Sequence, residues 1–186
     1  KNITGKVLSE NQLKRALKDN NRAYFEIGIK ELENRKNFSN SFVDIIIGEV
    51  LVDENLCKLT FAYLEKASSK TYLEATKQIF KKGSKGQKLA AIRSLKYSKH
   101  KPSTPYLDIL SDEILSMKSF QEVSFFLNLM QTKNPKSKKV TNNVFDLLTA
   151  NFIIARRAYW FLKNQELEPN QLKMLESFYQ KNKDRL

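Results

Sequence analysis

Gly86-Gln-Lys-Leu-Ala-Ala-Ile-Arg-Ser-Leu95 puts Ala91, Ile92 and Leu95 on one stripe of a helix, because residues three and four apart share a face. Four other segments end the same way: Glu26-Ile-Gly-Ile-Lys-Glu-Leu32, Lys58-Leu-Thr-Phe-Ala-Tyr-Leu64, Gln121-Glu-Val-Ser-Phe-Phe-Leu127 and Arg156-Arg-Ala-Tyr-Trp-Phe-Leu162. Successive leucines fall 32, 31, 32 and 35 residues apart. Four places before each stands a small or compact residue: Gly28, Thr60, Ala91, Val123 and Ala158. Three places before are Ile29, Phe61, Ile92, Ser124 and Tyr159, so each segment predicts a helix packed on one side, with room for a neighbour at the small residue.

A polar segment and a second apolar-periodic stretch follow each leucine. These stretches hold Phe42, Val43, Ile46 and Ile47; Tyr72, Leu73, Ile79 and Phe80; Leu107, Leu110 and Ile114; Val144, Leu147 and Leu148; and Leu172, Leu175 and Phe178. Pro102, Pro105, Pro135 and Pro169 all fall after a leucine helix, in the expected connections, where a missing N–H costs least. The repeat is therefore a helical hairpin. Hairpins of about 30 residues cannot bury their apolar faces alone, so neighbours must stack and share a core.

Gly86–Leu95, followed after a loop by Pro105-Tyr-Leu-Asp-Ile-Leu110, resembles the short bacterial form of the HEAT repeat, and Ala158–Leu162 with Leu172–Leu175 resembles it again. The rival tetratricopeptide and pentatricopeptide repeats have similar periods, but the Trp, Gly, Tyr and Pro landmarks of the first are missing, and here the small residue sits in the second helix with leucine four later. The resemblance implies an all-α fold: an α-solenoid of about five stacked helical hairpins, expected as a single domain over residues 1–186, whole or cut from a longer chain. The start at Lys1 leaves a processed protein equally open.

Few Gly and Pro, 5 and 4, suit helices joined by short turns. No apolar run approaches the roughly 20 residues that cross a bilayer, so no membrane insertion is expected. The single cysteine, Cys57, cannot form an intramolecular disulfide; that suits a reducing compartment, such as the cytoplasm, without requiring one. The balance of 33 Lys and Arg against 20 Asp and Glu gives a net charge of +13, which points to acidic partners, whereas a lysine-rich solvated surface explains it as well.

Catalytic motifs are scarce, and the chain is read as a non-enzyme without cofactor or metal. One histidine, His100, is expected exposed in the Lys96–Thr104 loop; one His and one Cys assemble no ordinary zinc site, and neither HExxH nor CxxC occurs. The iron-binding HEAT-repeat hydroxylases need His-Glu pairs, which this chain lacks. Lys81-Lys-Gly-Ser-Lys-Gly-Gln-Lys88 does not match GxxxxGK[ST] and is read as a turn, with Gly83 or Gly86 ending a helix. Cys57, seven residues before Leu64, is expected to be a buried structural thiol.

In a HEAT-like stack the leucine helices line the concave face, and positions two and six before each leucine look outward. Arg93, Phe125, Arg156 and Trp160 fall there and form the candidate partner-binding strip, since aromatics beside arginines make protein hot spots and can also stack on bases. Burial of Phe125 and Trp160 against other helices is the competing reading. A second candidate is a basic ridge of Lys96, Lys99, Lys101, Lys133, Lys136, Lys138 and Lys139, in equivalent connections of adjacent repeats. The expected function is a non-catalytic protein-interaction scaffold for a protein or peptide. The alternative is a nucleic-acid-binding module resembling the alkylpurine DNA glycosylases built from such repeats.

Overall fold

Serine side chains mark where six of the described helices start. In the computed structural model, which describes residues 8–186, the side chains of Ser9, Ser68, Ser84, Ser103, Ser119 and Ser137 each accept a hydrogen bond from the amide three residues on. At Ser9, Ser84 and Ser119 a Gln or Glu side chain returns the bond, completing a capping box. The described residues are all-α, with eleven α-helices and no strand.

The helices are α1 (Glu10–Lys18), α2 (Arg22–Asn34), α3 (Asn40–Val52), α4 (Cys57–Leu64), α5 (Ser69–Lys82), α6 (Lys85–Tyr97), α7 (Thr104–Ser111), α8 (Phe120–Lys133), α9 (Lys138–Phe145), α10 (Phe152–Leu162) and α11 (Pro169–Asn182). Each leucine segment lies in an even-numbered helix and each second stretch in or beside the odd-numbered helix after it. Leu32, Leu64, Leu95, Leu127 and Leu162 are all fully buried, as are Thr60, Ala91, Val123 and Ala158. Burying a leucine side chain is worth about 1.5–3 kcal/mol, so five such positions at one period anchor the core.

Contacts divide the chain into two compact units, one running to Ser94 with Ser98–Lys101, the other made of Leu95–Tyr97 and Pro102–Leu186. In the first, α1 packs on α2 and α3, α2 on α4, and α3 on α4 and α5. The closeness of α1 and α2 depends on Gly28, where an added Cβ would stand 3.0 Å from Cδ2 of the buried Leu17. In the second unit α7 packs on α9, α8 on α10, and α9 on α10. α11 adds only Leu175 as a buried residue, together with Phe178 stacked 5.7 Å from Tyr159.

Four features depart from the sequence reading. α1 was not anticipated, because only Leu13 and Leu17 mark its buried side. Leu172, expected in the core, is 54% exposed, since α11 turns a different edge inward. Pro105 and Pro169 stand in the first turns of α7 and α11, not in the connections, at positions where no intrahelical donor is needed.

The fourth is His100, which is buried rather than exposed. The Glu65 carboxylate accepts from Ser98 Oγ at 2.7 Å and from the Lys99 amide at 2.8 Å, folding the loop inward. The imidazole then stacks on Tyr72 at 4.6 Å between centroids, with Nδ1 2.9 Å from Ser69 Oγ and Nε2 3.1 Å from the Glu65 carbonyl. His100 is a structural pin of the first unit. Gly83 does end α5, whereas Gly86 lies inside α6.

Candidate interaction face

The outward edge of α8 and α10 is set by what these helices bury. α8 starts at the Ser119–Glu122 capping box and buries Val123, Phe126, Leu127, Leu129 and Met130, which leaves Phe125 facing out. α10 starts at Asn151, whose side chain accepts from the Ile154 amide, and buries Ile154, Ala155, Ala158, Tyr159, Phe161 and Leu162. Arg156 and Trp160, one turn apart, remain on its exposed edge. Phe125 and Trp160 are 38% and 41% exposed, so the competing reading, in which flanking helices bury them, does not hold for these residues.

Trp160 is held in place as well as exposed. Its ring meets Tyr159 edge to face at 5.2 Å, the Lys163 ammonium lies 5.0 Å from the ring centroid, and its carbonyl accepts from Asn164 Nδ2 at 2.8 Å. An aromatic fixed before a partner arrives loses less conformational entropy on binding. Arg93 occupies the same register position on α6 and is exposed, in the first unit.

A residue outside the sequence-based strip ties the two helices together. Arg157 donates from Nη2 to Asn128 Oδ1 at 2.8 Å and Gln131 Oε1 at 3.3 Å, and from Nε to Ser124 Oγ at 3.4 Å. All three acceptors are neutral groups of α8. Burial lowers the pKa of this guanidinium, yet arginine keeps its charge in proteins, so a cation is fixed here without a carboxylate among these acceptors. Its partners are 26 to 33 residues away in sequence, which is why periodicity within α10 could not single it out.

The ridge lysines divide. Lys96, Lys133, Lys136, Lys138 and Lys139 belong to the second unit, Lys99 and Lys101 to the first. Lys139 pairs with Asp112 at 2.9 Å and Lys138 with Glu168 at 3.7 Å, while the Lys96 ammonium lies 5.6 Å from the Tyr97 ring centroid. Lys133 lies in the last turn of α8, where a cation complements the helix dipole. Two of the seven are thus already partly neutralised.

Cys57 is buried, and burial, assisted by Glu54 and Asp53, pushes its thiol up to about 11, the environment of an inert thiol. Among the described residues no cluster of three His, Cys, Asp or Glu could hold a metal ion, and no helix is long and apolar enough to cross a membrane. In comparisons with known proteins, the chain matches no family model, no curated protein and no solved structure.

Proposed function

We propose that this protein is a non-catalytic interaction scaffold in which the helical pairs stack in HEAT-like fashion and the even-numbered helices present the partner-binding layer. The reading rests on one observation: Phe125, Arg156 and Trp160 are exposed on two packed helices, beside a half-buried Arg157 whose hydrogen-bond acceptors are all neutral. Two aromatic anchors among arginines suit a protein or peptide that brings a carboxylate to Arg156 and Arg157 and apolar side chains to Phe125 and Trp160. Arg93 holds the equivalent register position on α6, in the first unit.

The test is affinity capture from a lysate of the source cells with the wild-type chain and a Phe125→Ala, Arg156→Ala, Trp160→Ala variant. A specific protein retained by the first and lost by the second is the expected result. Identical captured sets would count against the face, and nucleic acid in place of protein would favour the glycosylase-like alternative.

A further inference from the structure

Lys173, Ser177 and Lys181 recur every four residues along α11, with Met174, Phe178 and Asn182 beside them. Both rows border an open groove of about 630 Å³ whose apolar wall includes Phe145, Leu148, Phe152 and Ala155. That volume lies within the roughly 300–1,000 Å³ usual for binding pockets. The Arg185 guanidinium caps one part of it, 3.9 Å from the Phe152 ring centroid. No carboxylate lines the groove, so Lys173, Lys181 and Arg185 surround an apolar surface with positive charge alone.

The spacing of these cations selects the ligand. At 1.5 Å per residue, Lys173 and Lys181 start about 12 Å apart along the helix, and Arg185 lies further on. A fatty acid or other single-headed anion would want its cations converging on one point. Cations strung along an apolar floor match an elongated partner with several carboxylates flanking apolar side chains. We propose that this groove binds an acidic amphipathic peptide segment, a site separate in its residues from the Phe125–Trp160 face.

The probe is a fluorescein-labelled synthetic helical peptide about 18 residues long, enough to hold helix, with a leucine stripe flanked by glutamates two turns apart. A control peptide carries Gln for every Glu. Anisotropy titrations use the full chain, the Lys173→Glu/Lys181→Glu variant, the milder Lys173→Gln/Lys181→Gln variant, and Lys58→Glu/Lys70→Glu, which makes the same change of net charge at exposed lysines outside the groove, each checked by circular dichroism. Saturable binding is expected, weakened about tenfold or more by charge reversal in the groove and by the Gln peptide, reduced less by the neutral variant, and changed little by Lys58→Glu/Lys70→Glu. Absence of binding, equal binding of the Gln peptide, or indifference to both lysine variants overturns the proposal. So does saturable dodecanoate binding that depends on these lysines when the acidic peptide does not bind, which would assign the groove to a lipid.

Discussion

Thr60 occupies the position that holds Gly28, Ala91, Val123 and Ala158 in the other leucine helices, and its hydroxyl is buried without a hydrogen-bond partner. A buried hydroxyl left unpaired costs about 1–3 kcal/mol, so Thr60→Val, which keeps the shape, is expected to stabilise the protein by about 1 kcal/mol, seen as a higher melting temperature. Cys57 makes a second test. With a pKa of about 11, only about a thousandth of the thiol is ionised at pH 8 in the folded chain, so alkylation should be slow, speed up about tenfold per pH unit, and become fast on denaturation. Rapid labelling of the native protein would show an accessible thiol instead. Thr60 and Cys57 were both legible in the sequence as core positions, because their spacing from Leu64 is local. His100 and Arg157 were not: the environment of the first is made by Glu65, Ser69 and Tyr72, and that of the second by α8, through contacts that no pattern within one helix encodes.

Among the elements, the end of α2 carries strain that can be relieved. Lys36 has φ 51°, and its amide bonds to the Glu33 carbonyl at 3.0 Å while the Asn37 amide bonds to Leu32 at 2.9 Å, a left-handed helix ending that normally takes glycine. A non-glycine residue in this conformation costs about 1–2 kcal/mol, so Lys36→Gly should stabilise the chain by up to about 1 kcal/mol, after the greater flexibility of glycine in the unfolded state is subtracted. A lower denaturation midpoint would mean that the lysine side chain contributes there. The loop after α6 tests the reverse case: His100→Ala removes the stack on Tyr72 and the imidazole's bonds to Ser69 Oγ and the Glu65 carbonyl and leaves a cavity, with an expected loss of about 2–4 kcal/mol and faster amide exchange at Ser98 and Lys99. At this scale the leucine helices could be read because one-sided burial imposes a helical period. α1 could not, since two leucines in nine residues fall below what periodicity resolves.

Across the whole molecule, the net charge of +13 draws any polyanion, and what separates general attraction from a built site is its response to salt. With Lys138 and Lys139 already near carboxylates, binding of DNA or RNA is expected to be weak at about 50 mM salt and to vanish by about 200 mM. An anisotropy titration in which binding survives the higher salt, and falls with Arg156→Ala and Trp160→Ala, would favour nucleic acid over protein. The all-α class was legible in the composition and the repeat, and the outward register of Phe125 and Trp160 in the spacing from each leucine; the groove beside α11 was not, because residues from α9, α10 and α11 form it together. The most direct measurement of the scaffold reading is photo-crosslinking in the source cells, with a benzophenone amino acid at position 125 or at the 85% exposed Val52 as control. A discrete protein adduct from position 125 that is missing from position 52 is the expected result. Matching adducts at both positions, or none at 125, would contradict the scaffold reading.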